Sequence, residues 1–419
     1  MKQFLHYTLL VVLLYIYFFD PFYFPIGFGL KQFSIVLLYI AAFFYCVVKQ
    51  RQYKRFTKVF KADYVYLLVL FVFSMFITLN DGDFSLFGNQ LKMIFANFFV
   101  PILIINYAFL IGLDDEDKFM RSLLVVGAVA SIGTMICLLS PNISNTYKLS
   151  VINLEQGSFL TEGFRGFGFS TRLTNDYGFI EGAMLALGVY YGKKNKWFYL
   201  FFLFVFLSVI FNARTGVIVA AIGIVFALLM QTRNIFYFLI VGFFAVLFVA
   251  NIEPLMNSIM DAVGLDAKTM NWISEFFADV TTIVESKDVM STGIGETLFS
   301  DMVLWPESVE QWLFGSGQSI FYEGFHSKGH SDLGFFIQLN YGGIFFFTIL
   351  MAYMLHIFKR LWKCGYKYMA LFYICSFIVL NIKSNFALRQ GGILGLYLLI
   401  YYFLVYVKSI PRDLNQIRT

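Results

Sequence analysis

The chain is 419 residues long, 59% hydrophobic, 20% aromatic and only 14% charged, with a formal net charge of +5. A soluble domain carries about 25% charged residues, so a soluble globular fold is excluded. The composition is that of an all-α polytopic membrane protein, because helices satisfy their backbone groups internally in lipid. The positive balance does not point to nucleic acid, since the basic residues lie between apolar runs rather than in one patch. The four cysteines, Cys46, Cys137, Cys364 and Cys375, avoid the one long polar stretch at 251–332. No disulfide frames that stretch, and no Cys/His spacing suggests zinc.

In chain order, Lys2 precedes an apolar run over 5–19 that lacks a small-x-small cleavage site, which predicts a retained first span rather than a signal peptide. Twelve spans are expected, over residues 5–20, 33–48, 64–80, 92–112, 121–140, 177–192, 197–212, 215–231, 235–250, 333–357, 368–382 and 391–407. With the N-terminus inside, the inward segments hold 20 of the 31 Lys and Arg residues, although the outward segments are much longer. Both ends are then cytoplasmic and 251–332 is external. That loop carries Lys268, Lys287 and Lys328 against 13 acidic residues. Three smaller external pieces accompany it: the loop 141–176, the tight turn Asn212-Ala213-Arg214-Thr215-Gly216, and 383–390. Within the long loop, 271–286 places Trp272, Phe276, Val280 and Ile283 on one face, an amphipathic helix suited to a membrane surface or a lid. Residues 310–314 read as a short helix ended by Gly315. No internal repeat is visible.

Loops as long as 251–332 are usually functional or disordered, and this one closes in an unusual way. It reads Leu313-Phe314-Gly315-Ser316-Gly317, then His326 and His330-Ser331-Asp332, then an apolar run through Tyr341-Gly342-Gly343. His330 suits a general base near neutral pH, with Asp332 to orient the ring. His326 is a second, weaker candidate. The Gly315 to Gly317 turn suits backbone N–H donation to a phosphate. Upstream, Gly163-Phe164-Arg165-Gly166-Phe167-Gly168-Phe169 and Arg172 set guanidinium groups in a glycine-rich aromatic loop, which suits phosphate oxygens. Arg214 stands between two apolar spans with almost no loop, where a cation is costly unless it meets a partner or a wet cavity, or snorkels to head groups. Arg389 opens the last span from outside, and Glu162, Asp176 and Glu181 are further carboxylates of interest. Asp81-Gly82-Asp83 has metal-binding spacing but reads as a polar turn, and no metal or other cofactor is expected.

Three of these patterns together resemble the O-antigen polymerase (Wzy) family, within the superfamily that includes O-antigen ligases. They are Arg165-Gly166 before a span, the Asn212 to Gly216 turn opening a span, and the loop closing on Leu313 to Gly317, His330-Ser331-Asp332 and Tyr341-Gly342-Gly343. The overall layout, many spans with one large periplasmic loop late in the chain, covers nearly the whole sequence. Asn212 replaces the family's usual Ser. Nine residues after Ser331 lead to Tyr341 rather than to the glycine of the ligase pattern, whereas Arg172 is followed by fifteen residues and Gly188, a spacing described for some polymerases.

The resemblance implies a metal-independent, GT-C-like membrane glycosyltransferase of the bacterial inner membrane. It would move a growing glycan from undecaprenyl pyrophosphate to the non-reducing end of a new lipid-linked repeat, on the periplasmic face. His330, Arg214 and Arg165 would be catalytic, and Arg172, Arg389, Gly315, Gly317, His326, Asp332 and Tyr341 would meet the substrate. A chain-length regulator and other O-antigen export proteins would be partners, in a membrane-lipid setting. An O-antigen ligase, or a polysaccharide flippase of a different class, remain the alternatives. Transporters more often hold ionisable groups near the bilayer midplane and show repeated halves.

Overall fold

The computed structural model describes residues 2–21, 50–79, 100–151, 168–170, 176–192, 198–231, 301–318, 331–383 and 392–410, with 87, 96, 97, 278, 282 and 320. The described residues are helical and without strands. In chain order the helices are α1 (Lys2–Phe19), α2 (Gln50–Val59), α3 (Lys61–Leu79), α4 (Val100–Leu110), α5 (Glu116–Leu139), α6 (Pro141–Val151), α7 (Asp176–Tyr191), α8 (Phe198–Asn212), α9 (Arg214–Gln231), α10 (Val309–Phe314), α11 (Gly334–Lys363), α12 (Lys367–Lys383) and α13 (Gly392–Ser409). Among these, α3, α5, α11 and α13 are long and apolar enough to cross a membrane. α3 shows why. Asp63, Leu67, Leu70, Ser74 and Ile77 form its buried stripe. The opposite stripe, with Leu68, Val72, Phe76 and Leu79, is also apolar and is exposed. A helix with two apolar faces, one against protein and one bare, is a helix for lipid. The expected spans over 33–48 and 235–250 lie outside the described residues, as do Asp81-Gly82-Asp83 and, apart from helical Ala278 and Thr282, the amphipathic segment 271–286.

Two compact units make up the chain. The first comprises Met1–Leu10, Phe33–Phe119 and Leu298–Thr419. Its axis is α13, buried continuously from Gly392 to Tyr406, against which α2, α4 and α11 pack, while α11 also packs on α3 and α12. At one end of this unit, segments expected to face inward meet. Arg55 donates to the Ser409 carbonyl at 2.9 Å. Arg360 pairs with Asp63 at 2.7 Å and donates to the Val59 carbonyl. Tyr401 donates to the second Asp63 oxygen at 2.8 Å, and the guanidinium of Arg360 lies 4.8 Å from the Phe60 ring centre. Tyr366 contacts Glu116 there, and burial together with that carboxylate pushes its phenol up from the usual range. Asp63 is 1% exposed, so removing it strands a cation and a phenol. Asp63→Ala is expected to destabilise the protein by about 2–4 kcal/mol, and Asp63→Asn by less, read as thermal unfolding midpoints in detergent.

The second unit comprises Val11–Gln32 and Met120–Thr297. Here α7, α8 and α9 pack on one another around Leu185, Val205, Val209 and Ala220. Part of the expected loop 141–176 is helical: α6 starts at Pro141, a residue preset for the first helical position because it lacks an N–H to satisfy. Its buried stripe is Ser144, Tyr147 and Lys148. Tyr147 donates to the Pro21 carbonyl, and burial pushes its phenol up.

Candidate functional site

In the second unit, residue 168 and the turn before Arg214 meet adjacent residues of α7, Tyr177 and Gly178. Gly168, three residues after Arg165, has φ +137, and a Cβ there would lie 2.6 Å from the Tyr177 hydroxyl. Phe169 and Ser170 continue this anchoring: the Phe169 carbonyl accepts from Tyr15 at 2.9 Å, and Ser170 donates to the Phe19 carbonyl. The next residue of α7, Gly178, packs on the turn before Arg214, where a Cβ would lie 2.5 Å from the Ala213 Cβ. One helical turn on, a Cβ at Gly182 would run into the Gly216 carbonyl, and one at Gly216 into the Gly178 carbonyl. Gly178 and Gly182 form a Gly-x-x-x-Gly pair, which lets two helix backbones touch. Small residues on both sides therefore clamp the start of α9 against α7. Arg214 is the first residue of α9.

Beneath this clamp lies a buried polar network. Ser208 contacts Thr134 at 2.6 Å and the Glu181 carboxyl. Asn212 donates to Thr134 at 3.2 Å and to the Ser208 carbonyl at 3.0 Å. Thr134 donates to the Tyr177 hydroxyl at 3.3 Å, and Tyr177 to the Ala130 carbonyl at 2.6 Å. Glu181 and Ser208 are both fully buried. An ionisable group buried this deep in an apolar helix is a functional candidate. Glu181 stood among the sequence candidates, but its partner Ser208, and Thr134 beyond it, did not. The signal available was a run of short polar residues in otherwise apolar helices.

The first unit holds the closing segment of the long loop. The expected short helix is α10, capped by Ser308 accepting from Gln311 and ended at Gly315 with φ +79. The expected anion site at Gly315 and Gly317 is not supported, because its N–H groups are engaged within the protein. The Gly315 N–H donates to the Gln311 carbonyl, that of Ser316 to Asn340 at 2.8 Å and that of Gly317 to Tyr341 at 2.9 Å. The turn is a clasp on α11 rather than a phosphate cradle. Tyr341 is also not a surface residue: it is 2% exposed, with its ring edge-on to Phe346.

The clasp explains a second departure from expectation. The span predicted over 333–357 is broken at Gly343, which has φ 64 and ψ −173 inside α11. Leu313 and Phe314 backbone atoms crowd Gly343, and Tyr341 backbone atoms crowd Gly315, so each glycine makes room for the other segment. Residues 334–342 are therefore a separate short helix ahead of the kink. Any L side chain at Gly343 meets both a left-handed φ and a backbone clash. Gly343→Ala is expected to destabilise by about 2–4 kcal/mol, measured as a lowered unfolding midpoint.

The short helix is held by a small platform. Asn340 donates to the Leu304 carbonyl at 2.9 Å, and Gln338 to Asn381 at 2.6 Å. Ser331 is pinned on two sides: its N–H donates to the Ile320 carbonyl at 2.8 Å and its hydroxyl to the Met302 carbonyl at 2.6 Å. The half-buried Asp332 follows. Leu304, Ile320 and Ile337 form the apolar floor. His326, His330, Arg165, Arg172, Arg389 and Glu162 lie outside the described residues, as does the side chain of Arg214. No protein-family model, curated protein or solved structure matches the chain.

Proposed function

We propose that the chain is an O-antigen polymerase, a glycosyltransferase that transfers a growing glycan from undecaprenyl pyrophosphate to a new lipid-linked repeat unit. The observation that carries this reading is that Gly168, three residues after Arg165, and the turn before Arg214 pack on adjacent residues of α7, Tyr177 and Gly178. A leaving diphosphate needs fixed cations where its charge develops, and Arg grips phosphate oxygens bidentately. Arginines close in sequence to two anchors on one helix end suit that task. Arg172, separated by fifteen residues from Gly188 of α7, and Arg389 are further phosphate ligands in this reading.

The nucleophile is a sugar hydroxyl, which becomes a better attacker as a base takes its proton. His330 is assigned that role, since neutral imidazole accepts a proton near neutral pH. Its neighbour Ser331 is fixed on two sides, which suits a base that must hold its place, and Asp332 is the group assigned to orient the ring. The C–O bond to the diphosphate breaks as the new glycosidic bond forms, the diphosphate leaves with the bonding electrons, and the hydroxyl proton goes to imidazole. Twelve spans in the inner membrane, cytoplasmic termini and a periplasmic long loop complete the reading. The meeting of residues 50–61, 113–121, 356–367 and 408–410 at one end of the first unit supports a shared side for these segments. A chain-length regulator is the expected partner.

The lipopolysaccharide pattern of a strain lacking the gene tests the proposal. A core bearing a single repeat is the expected result. Bare core points to the ligase or the flippase, and an unchanged ladder removes the O-antigen assignment.

A further inference from the structure

The short helix α10 buries none of its residues. Val309, Trp312, Leu313 and Phe314 are exposed along it, and Trp305 is exposed just before it. A cluster of large apolar side chains of this kind marks a surface made to be covered.

The patch is continuous with the bare side of a span. Phe314 lies against Phe345 of α11, with ring centres 5.6 Å apart. Phe345 and its neighbour Ile344 are themselves exposed, on a helix long and apolar enough to cross a membrane. Counting residues gives the level. The last turn of α11 carries Arg360 and Lys363, and the exposed Trp362 beside them has the Lys367 ammonium 5.7 Å from its ring centre. Tryptophan and basic residues together mark one edge of the hydrocarbon core. A crossing takes about 20 residues, which leads back from Arg360 and Lys363 to residues 340–343. The kink at Gly343 lies there, and there the Ser316 and Gly317 N–H groups bond to the Asn340 and Tyr341 carbonyls. The clasp therefore holds α10 at the opposite edge of the core.

The make-up of α10 suits that level. Trp305 and Trp312 stack on each other, ring centres 5.4 Å apart and 14° from parallel, and Trp305 stands edge-on to Phe336. Indole rings favour head-group depth. Glu307 and Glu310 are exposed at the start of the segment, whereas Leu313 and Phe314 end it against α11, so polarity falls toward the span. A glycan fits the patch less well, because its hydroxyls find no partner on Val309, Leu313 and Phe314.

We propose that α10 is a membrane-interface anchor, with the Trp305–Trp312 pair and the Leu313–Phe314 end seated in the lipid head-group layer. The clasp passes this fixed depth to the short helix 334–342 and to Ser331 and Asp332 just before it. In the polymerase reading the anchor sets the closing segment of the long loop at the level of a lipid-borne diphosphate. Only that consequence rests on the polymerase reading; the anchor itself does not.

Tryptophan emission from the full-length protein tests the anchor. Replacing Trp197, Trp272 and Trp362 by phenylalanine leaves Trp305 and Trp312 as the reporters. In nanodiscs of phosphatidylcholine brominated near the head-group end of its acyl chains, their emission is expected to fall to about half or less of that in unbrominated lipid, and to fall less when the bromines lie near the chain ends. Emission that neither brominated lipid lowers overturns the proposal and gives the patch to protein, glycan or water. Stronger quenching by the deeper bromines overturns the head-group level. If the triple replacement does not fold, wild type and Trp305→Phe/Trp312→Phe are compared instead. The double variant is expected to lose much of the emission that shallow bromines quench, and equal quenched emission from the two proteins overturns the proposal. No glycan substrate enters the measurement, so it stands whether or not the protein makes polymer.

Discussion

Arg214→Ala is expected to leave the protein in the membrane at its normal level and to lower glycan chain growth by roughly 10²-fold or more, the scale of losing one fixed group that stabilises developing charge. The backbone argument for a normal level is specific. Arg214 is the first residue of α9, and the clamp that seats this end is made by Gly178, Gly182, Ala213 and Gly216, none of which needs the guanidinium. Arg214→Lys keeps the charge but loses the planar fork that grips two oxygens at once, so it is expected to fall between wild type and alanine. Membrane level by immunoblot and polymer length on the same samples separate lost chemistry from lost protein. Full activity in Arg214→Ala would remove the arginine from the mechanism.

Gly182→Leu is expected to cause the largest structural damage of any single change in the second unit. A Cβ at Gly182 already meets the Gly216 carbonyl oxygen, a backbone atom that cannot rotate away. A leucine would force α7 and α9 apart, separate Gly178 from Ala213 and expose the Glu181 network. Overpacking of this kind costs about 1–3 kcal/mol and occasionally more, and the rigid backbone on the far side puts this site at or above the upper end. Gly188 on the same helix is the control. Among the described residues a Cβ there meets only Leu124, at 3.6 Å, and alanine is the better helix former by about 1 kcal/mol. Gly188→Ala is expected to be neutral or slightly stabilising. Thermal unfolding of the two variants in detergent checks the contrast, and equal midpoints would show that the glycine contact is not what holds α7 to α9.

The helices were legible where composition alone decides them. α3, α5 and α13 are apolar runs bounded by charge, and hydrophobic period and length locate such segments without tertiary information. α10 was legible from Gly315, which stops a helix by taking φ 79. The kink at Gly343 was not. Gly342-Gly343 inside an apolar run reads as a tolerated interruption of a span, and what breaks the helix is the Leu313–Gly315 segment lying against it. The misreading of Gly315 and Gly317 has the same origin: whether their N–H groups are free for an anion depends on carbonyls at 340 and 341.

The candidate site was legible in part for a similar reason. Arg214 stands out because a cation between two apolar spans is locally anomalous. The Asp63–Arg360 pair was missed because its members lie 297 positions apart, and each passes alone for an ordinary span-end charge. Glu181 was visible only as one of three carboxylates of interest. The network it joins through Ser208 draws Ser208, Thr134 and Tyr177 from three helices, and no stretch of sequence shows their meeting.

Purified protein in proteoliposomes, supplied with labelled undecaprenyl-pyrophosphate-linked repeat units, tests the proposed activity most directly. The polymerase reading predicts lipid-linked products longer than one repeat, together with released undecaprenyl pyrophosphate. Movement of the labelled lipid across the bilayer with no new glycosidic bond would contradict it and make the protein a flippase.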